Sequence, residues 1–299
     1  LWKRRHRTEF VERHVVQAPV HELPPTLGRD IEQKRQARVR HVDRVRYLGS
    51  RVQVAGHVHR GVGLGDGKVF LGQLDGKLTA LDQRTGKVAW QVQAERWQEG
   101  YSITAAPLYY DGRVYSGFAG GEKGVRGRVK AFDAKNGKLV WTFYTVPGPG
   151  EVGHDTWPQD NEIWQNGGGT VWQTPAVDPE LGLIYFSTGN PGPDFNGAIR
   201  KGDNLYTSSI VALEAKTGKY RWHFQQVHHD LWDYDSASPV VLFDITLEGK
   251  PRKGIAEASK SGWVYILDRT DGKPLIGIDE KPVPQEPRQA TAAKLNRST

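Results

Sequence analysis

The sequence contains no cysteine and no methionine among its 299 residues. Without cysteine, the chain cannot form a disulfide, use a thiol nucleophile, bind a metal through thiolates or attach a c-type haem. No apolar run reaches the roughly 18 residues that a membrane-spanning helix needs, so no transmembrane helix is predicted. Hydrophobic residues make up 37% of the chain, which is enough for a sizeable core and excludes disorder throughout.

The positive charge is concentrated near the N-terminus. Residues 1–60 hold 14 Lys and Arg against 6 Asp and Glu, whereas the whole chain has a formal net charge of +7. A basic arm could bind nucleic acid or anionic lipid. This arm shows neither interleaved aromatic residues nor a base-reading motif, so we predict no nucleic-acid partner.

Residues 1–57 differ in composition from the rest of the chain. They are rich in arginine and histidine and show neither a helical period nor the alternation of strands. We interpret them as a basic N-terminal segment, which is either a native extension or a non-native stretch joined to the body. Residues 58–299 form the second predicted region.

A short sequence repeats through this second region. Each copy runs from a hydrophobic residue through Asp or Glu to a Gly-Lys pair, and the first three copies end on tryptophan. The copies are Ala80–Trp90, Ala131–Trp141, Ala212–Trp222 and the shorter Ile266–Lys273. An alternating strand, a tight turn with glycine at positive φ and a second strand make a β-hairpin, so each copy predicts one.

Further short β runs precede the repeats, at residues 67–72, 112–117 and 182–187. Each period therefore supplies at least three strands. The turn glycines stand 51, 81 and 54 residues apart, near the length of one propeller blade, and the longest interval holds about 30 extra residues. We predict an all-β chain that holds about four blades of a β-propeller, with the tryptophans packed between neighbouring blades. Because a propeller ring must close, the chain is predicted to be part of one.

Three segments that interrupt the repeat could carry chemistry. Glycines surround Glu122 and would let the backbone approach a ligand while the carboxylate points at a cation, although a solvated glutamate in a turn is the alternative. Trp172 follows three glycines and could form a flat floor under an aromatic ligand, or it could pack like the other tryptophans. Asn190 could offer an oxygen to a hard cation or only cap its own turn.

A fourth segment, His228–Asp235, contains three aspartates among aromatic residues. Partial burial raises the basicity of a carboxylate, so this segment could supply a general base and metal-binding oxygens. The adjacent histidines lack the longer spacing that is typical of zinc sites. The segment therefore predicts carboxylate chemistry rather than a zinc centre.

Taken together and in this order, the four segments resemble the pyrroloquinoline quinone (PQQ)-dependent alcohol dehydrogenases of the methanol and ethanol dehydrogenase type. The resemblance covers roughly residues 58–290 and does not extend to residues 1–55. It implies part of an eight-bladed β-propeller that oxidises a small alcohol to an aldehyde and passes electrons to a cytochrome c or a quinone. It also implies a periplasmic location and leaves a homodimer open.

The resemblance assigns roles to individual residues of this chain. Asp233 matches the catalytic aspartate of the family. The positions that bind PQQ are matched by Arg60, Thr104, Ala119, Gly120, Gly121, Trp172 and Lys260. The positions that bind the metal ion are matched by Glu122 and Asn190, with Asp233 and Asp235 as further ligands.

The implied metal ion is Ca²⁺ or a lanthanide. Members of the family that resemble the lanthanide users have an aspartate two residues after the catalytic one, where calcium users often have a small residue. Asp235 stands at that position. It favours a lanthanide, because a trivalent ion gains more from an additional carboxylate.

A non-catalytic propeller scaffold, of the kind found in outer-membrane assembly lipoproteins, is the alternative function. Such a protein could use the same tryptophan-docked repeat purely for interaction. It would have no reason to combine Glu122, Asn190 and Asp233 on its insertions. The enzyme is therefore the preferred hypothesis, and binding of PQQ distinguishes the two.

Overall fold

The computed structural model describes residues 60–282 and the strand at residues 294–298. The basic segment predicted for residues 1–57 lies outside the described residues, so its separation from the body stays a prediction. Within the described ranges, no helix combines the length and the apolar content that crossing a membrane would require.

The described residues form antiparallel strands, numbered β1 to β18 in chain order, in five sheets. The first sheet contains β1 (Gly63–Gly65), β2 (Lys68–Gly72), β3 (Lys77–Asp82) and β4 (Val88–Gln93). The second contains β5 (Leu108–Tyr110), β6 (Arg113–Gly117), β7 (Arg128–Asp133) and β8 (Leu139–Tyr144). The third contains β9 (Ala176–Asp178), β10 (Leu183–Ser187), β11 (Ser209–Glu214) and β12 (Tyr220–Gln225).

Two further sheets have three strands each. The fourth sheet contains β14 (Val241–Leu247), β15 (Lys250–Ala258) and β16 (Val264–Asp268). The fifth contains β13 (Val227–His228), β17 (Ile278–Pro282) and β18 (Lys294–Ser298), with β18 in the middle. Short 3₁₀ helices lie in the described connections at Trp97–Glu99, Gly121–Lys123, His154–Thr156 and Ile163–Asn166.

Strands that follow one another in the chain are neighbours within each of the first four sheets. The β runs predicted at residues 67–72, 112–117 and 182–187 are the second strands β2, β6 and β10. The predicted hairpins are the pairs β3–β4, β7–β8 and β11–β12. This repeated meander is the arrangement predicted for successive propeller blades.

The repeated turn is held by its own aspartate. Asp82 Oδ1 accepts hydrogen bonds from the backbone N–H and the hydroxyl of Thr85, both at 2.7 Å. Gly86 follows with φ +67°, a conformation that glycine adopts without steric cost. Asp133 and Asp268 accept backbone N–H groups in the same way. The local sequence therefore explains why the hairpins recur.

The tryptophan at the end of each full repeat docks on the next repeat. Its indole Nε1 donates a hydrogen bond to a backbone carbonyl in the turn of that repeat. The pairs are Trp90 with Ala134 at 3.0 Å, Trp141 with Ala215 at 3.1 Å and Trp222 with Arg269 at 3.1 Å. Docking buries an aromatic ring and satisfies its N–H group together. The predicted role of these tryptophans between blades is confirmed.

Three hydrophobic clusters lie between successive sheets. The first joins Phe70 and Leu78 of the first sheet to Val114 and Phe132 of the second. The second cluster joins the second and third sheets in the same way, and the third joins the third and fourth. The second and third sheets thus share buried side chains with the sheet on either side, so the blades stabilise one another.

Protonation of His223 is expected to destabilise the third sheet. Burial lowers the pKa of His223 from 6.5 to about 4, and the hydroxyl of Tyr220 lies 2.8 Å from its Nδ1. Between these two pH values the unfolded chain binds a proton that the folded chain does not. The free energy of unfolding should therefore fall, as pH decreases through this window, by up to about 1.4 kcal/mol per unit from this group.

The measurement is urea unfolding at several pH values, comparing wild type with His223→Gln. The stability difference between the two proteins should change between pH 6.5 and about 4. Tyr220→Phe is the matched control, because it removes the hydroxyl and keeps the titrating imidazole, so the pH dependence should persist. A stability difference between wild type and His223→Gln that does not depend on pH contradicts the prediction.

Candidate active site

The predicted site residues lie on connections at one end of the sheets. In a four-stranded meander, the connection between the second and third strands and the exit from the fourth strand lie at the same end. The repeat turns, between the third and fourth strands, lie at the opposite end. The connections between the second and third strands of a sheet carry Glu122, Asn190 and Lys260. The connections from one sheet to the next carry Thr104, Trp172 and Asp233. The topology thus brings residues from four sheets to one face.

Thr170 stands where three of these connections meet. Its side chain is buried, and its carbonyl accepts a hydrogen bond of 2.8 Å from the N–H of Gly189. A Cβ atom built on Gly121 would lie 3.4 Å from Thr170 Oγ1. A Cβ atom built on Gly189 would lie 3.2 Å from the same oxygen and 2.8 Å from Asp235 Oδ1. Gly189 therefore allows the Asp235 carboxylate to approach the backbone.

Asn190 is held on three sides. Its backbone N–H donates to Asp235 Oδ1 at 2.8 Å. Its side-chain amide nitrogen donates to Asp194 Oδ1 at 2.8 Å and to the carbonyl of Pro191 at 3.1 Å. These bonds orient the amide and use its donor end. The Oδ1 atom is left as the acceptor end, which is the atom that a hard cation would bind.

Lys260 lies between Asp233 and Asp235. Its Nζ is 3.0 Å from Asp233 Oδ1 and 2.5 Å from Asp235 Oδ2. Burial opposes the charge of Lys260, but its hydrogen bonds to both carboxylates outweigh burial and raise its pKa. Burial raises the pKa of Asp235, against the bonds from Lys260 and Asn190. Of the two aspartates that Lys260 contacts, Asp235 is therefore buried, whereas the side chain of Asp233 is 39% exposed.

The turn around Asp233 has an unusual backbone. Asp233 has φ +61°, a conformation that aspartate and asparagine adopt more readily than most residues. Asp230, which is fully buried, accepts the N–H groups of Trp232 at 2.9 Å and Tyr234 at 2.7 Å. Its carboxylate thereby fixes the peptides on both sides of Asp233.

Arg60, Thr104 and Trp172 form a second group. The Arg60 guanidinium carbon lies 4.9 Å from the centroid of the Trp172 ring, and the Arg60 N–H donates to the carbonyl of Thr104 at 3.0 Å. The Thr104 hydroxyl oxygen is buried and has no hydrogen-bond partner within residues 60–282. A cation, an aromatic face and an unsatisfied hydroxyl together fit a flat ligand with a polar rim.

Residues 119–121 connect these two groups. Ala119 exchanges two backbone hydrogen bonds with Ser102, at 2.8 and 3.2 Å. Gly120 has φ +123°, and a Cβ atom built on it would lie 2.2 Å from the carbonyl oxygen of Gly100. A side chain at Gly120 would therefore push this connection away from Gly100. The predicted PQQ-binding stretch is held close to the backbone on which Thr104 lies.

The predicted metal ligands are only partly brought together. Asn190 and Asp235 share a hydrogen bond, and Lys260 links Asp235 to Asp233. Throughout residues 60–282, no three His, Asp or Glu side chains converge as a group able to hold a metal ion. Glu122 is exposed and does not join the two aspartates. The donor set of carboxylate and amide oxygens fits a hard cation, and the full ligand set stays a prediction.

An open cleft of about 580 Å³ adjoins Glu122. Its walls combine the carboxylates of Glu122 and Asp194 with the apolar side chains of Ile163, Phe195 and Ile199. Phe195 is 64% exposed. The cleft offers a mixed polar and apolar surface beside the predicted metal ligands.

Two residues of the site were missed by the sequence analysis, Asp194 and Arg200. Both lie between β10 and β11, in the interval with about 30 extra residues. That excess length was the only signal in the sequence. Asp194 accepts the side-chain amide of Asn190, and Arg200 reaches the carbonyl of Asp230 in another connection, and no motif marks either contact.

The fold and the site define a partial β-propeller with a lysine-bridged pair of aspartates at one end. Residues 67–294 match the family described as "PQQ: Glucose/ethanol/alcohol dehydrogenase, beta-propeller domain". The chain belongs to this family, as its motifs predicted. The predicted fold class, an all-β partial propeller, is confirmed.

The chain is similar to several alcohol dehydrogenases. It is 46% identical to the quinohemoprotein alcohol dehydrogenase ADH IIB of Pseudomonas putida over 229 residues, which are 72% of this chain and 33% of that protein. It is 43% identical to the quinoprotein alcohol dehydrogenase PedH of Pseudomonas putida over 238 residues, covering 74% and 39% of the two chains.

Among solved structures, a europium-containing methanol dehydrogenase matches with a TM-score of 0.68 and 38% identity. The match covers 74% of this chain and 42% of that chain. The chain thus spans between a third and two fifths of the length of the curated relatives it matches.

Proposed function

We propose that this chain carries the PQQ and metal site of an alcohol dehydrogenase that oxidises a small alcohol to an aldehyde. The observation that carries the proposal is the group formed by Asp233, Asp235, Lys260 and Asn190, which come from three connections and bond to one another. Membership of the family and the names of the relatives support it.

Asp233 is the proposed general base. When bound, PQQ would supply the acceptor for the hydride of the alcohol carbon, and the metal ion would supply a Lewis acid for the quinone carbonyl. Asp233 takes the hydroxyl proton of the alcohol, so the substrate loses one hydride and one proton and leaves as the aldehyde. Lys260 Nζ lies 3.0 Å from Asp233 Oδ1 and orients the carboxylate.

Four side chains are proposed to hold the cofactor. PQQ is a planar tricarboxylate, so its rim requires cations and its ring requires a flat apolar wall. Arg60 supplies a cation, and Trp172 supplies the aromatic face beside it. Lys260 supplies the second cation, near the quinone oxygens, and the hydroxyl of Thr104 can bond a polar group of the rim.

The proposed metal ligands are Glu122, Asn190, Asp233 and Asp235, with Ca²⁺ or a lanthanide as the ion. Asp235 adds a second carboxylate to the segment that carries Asp233, and only 8% of its side chain is exposed. The additional negative charge favours a trivalent ion. The name of the europium-containing methanol dehydrogenase, at 38% identity, supports a lanthanide.

We further propose that the electrons leave to a cytochrome c or a quinone, and that the protein works in the periplasm. The chain contains no cysteine, so a covalently attached haem cannot lie within it. A cytochrome c that accepts the electrons is therefore either another region of the full-length protein or a separate protein.

Binding of PQQ is expected to raise the melting temperature of the full-length protein that carries this sequence. With PQQ at about 100 times its Kd, in the presence of La³⁺ or Ca²⁺, binding of PQQ should contribute about 2.7 kcal/mol. Trp172→Ala should lose most of the increase, because it removes the proposed wall under the ring. Trp97→Ala is the matched control, since Trp97 is 50% exposed and belongs to a different connection.

The outcomes separate an enzyme from a scaffold. A wild-type protein whose melting temperature does not respond to PQQ with either ion would overturn the proposed function in favour of a non-catalytic scaffold. An equal increase in Trp172→Ala and Trp97→Ala would remove Trp172 from the cofactor site. A larger increase with La³⁺ than with Ca²⁺ supports the role of Asp235.

A further inference from the structure

The side chain of Arg200 is completely buried between the connections that carry Asn190 and Asp233. Its Nε donates to the carbonyl of Pro193 at 3.0 Å, and one terminal nitrogen donates to the carbonyls of Asp194 at 3.0 Å and Asp230 at 2.5 Å. The other terminal nitrogen donates to Asn204 Oδ1 at 2.9 Å. One guanidinium thus holds three carbonyls and one amide.

From Arg200, one path of bonds leads to Asn190. Arg200 holds the carbonyl of Asp194, and the carboxylate of Asp194 accepts the Asn190 amide nitrogen at 2.8 Å. A shift of the Asp194 backbone would therefore rotate the Asn190 amide. The orientation of the proposed metal-binding oxygen thus depends on Arg200.

A second path leads from Arg200 to Asp233. Arg200 holds the carbonyl of Asp230, and the carboxylate of Asp230 accepts the N–H groups of Trp232 and Tyr234. These are the residues on either side of Asp233. The backbone that aims the proposed general base is thus anchored to the same guanidinium.

The two paths meet at Asp235, which follows Tyr234 in the chain and whose Oδ1 accepts the backbone N–H of Asn190 at 2.8 Å. Together they form a closed ring of hydrogen bonds and backbone. Arg200 lies on the side of the ring opposite this bond. A guanidinium has five N–H donors in a fixed plane, whereas a lysine ammonium has three on a flexible stem. Only an arginine can satisfy all four acceptors in this geometry.

We propose that Arg200 is a positioning residue that sets the geometry between the Asn190 amide and the Asp233 carboxylate. The proposal rests on the proposed function, because it assigns Asn190 to the metal ion and Asp233 to proton transfer. Arg200 is completely buried, so its proposed action runs through Asp194 and Asp230.

The test uses Arg200→Lys in the full-length protein, loaded with PQQ. The Kd for La³⁺ is measured by calorimetry, and kcat and KM are measured with a primary alcohol and a dye acceptor. Loss of a residue that supports a metal ligand typically weakens metal binding by about 10–100-fold. We expect a loss of this size in La³⁺ affinity and a lower kcat, with a smaller change in KM.

Arg269→Lys is the matched control. Arg269 is also buried, with its Nε 2.6 Å from Asp178 Oδ2, and it holds the carbonyl of Phe243. It belongs to the repeat turn of the fourth sheet, away from the site end. Arg269→Lys should lower the melting temperature and leave La³⁺ affinity unchanged. Weaker La³⁺ binding by Arg200→Lys but not by Arg269→Lys therefore cannot result from loss of packing alone.

Asn204→Gly gives a second, milder variant should Arg200→Lys fail to fold. It removes one acceptor of Arg200 and allows the positive φ of 59° at this position. It should weaken La³⁺ binding by a smaller factor in the same direction. If the variants that fold bind La³⁺ like wild type, Arg200 has no positioning role. If wild type itself binds neither La³⁺ nor Ca²⁺, the proposed function fails and the role of Arg200 with it.

Discussion

Asp233→Asn is expected to reduce kcat for alcohol oxidation by about 10²–10⁴-fold, the usual contribution of a general base. The amide keeps the size of the carboxylate but cannot accept a proton from the alcohol. Asparagine also tolerates the φ of +61° at this position, so the turn should keep its shape. The measurement is dye-linked oxidation by the full-length protein reconstituted with PQQ and La³⁺ or Ca²⁺.

Asp111→Asn is the matched control for this variant. Asp111 also has positive φ, at 46°, and 72% of its side chain is exposed in the turn between β5 and β6. This control should retain wild-type kcat. The binding of PQQ to Asp233→Asn should be measured in parallel, because a lost cofactor would also abolish activity. Full activity in Asp233→Asn with PQQ bound would show that another group takes the proton.

Gly218→Ala is expected to destabilise the protein by about 2–5 kcal/mol, through two separate effects. Gly218 has φ +72°, where a residue with a Cβ atom is strained by about 1–2 kcal/mol. A Cβ atom at this position would also lie 2.6 Å from Trp141 Cδ2. Because the Trp141 indole is buried and bonded to Ala215, it cannot move without breaking the docking contact.

Gly182→Ala separates the two effects. Gly182 has φ +64°, but a Cβ atom built on it meets nothing within 4 Å. This control should lose only the backbone contribution, about 1–2 kcal/mol. The free energy of unfolding, measured in urea through tryptophan fluorescence, should therefore differ between the two variants by about 1–3 kcal/mol. Equal losses would show that the docked ring can move away from the turn.

Much of the fold could be predicted because its signals are local. The strands β2, β6 and β10 follow from short, largely hydrophobic runs, and the hairpins after them from turns such as the first, in which Asp82 accepts the Thr85 N–H and Gly86 adopts positive φ. The fourth sheet differs from the others, since its repeat lacks the tryptophan and a fourth strand is replaced by a single bridge between Leu267 and Pro274. Proline has no N–H to continue the ladder.

The site could be predicted only in part. The motifs around Trp172, Asn190 and Asp233 identified candidate residues, and the structure places Asn190 beside Asp235 and Arg60 beside Trp172. The bridge from Lys260 to both aspartates joins residues that are distant in the chain. No spacing rule predicts such a contact, because it depends on how two connections pack.

The sequence by itself determined the repeat, the sheet-forming segments and the order of the motifs that place the chain in its family. These are properties of neighbouring residues, set by side-chain alternation and turn chemistry. The tertiary structure alone decided the role of Arg200. A buried guanidinium must satisfy its donors wherever acceptors are available, and packing brings the carbonyl of Asp230, from another connection, to the guanidinium that also holds the carbonyl of Asp194 in its own connection.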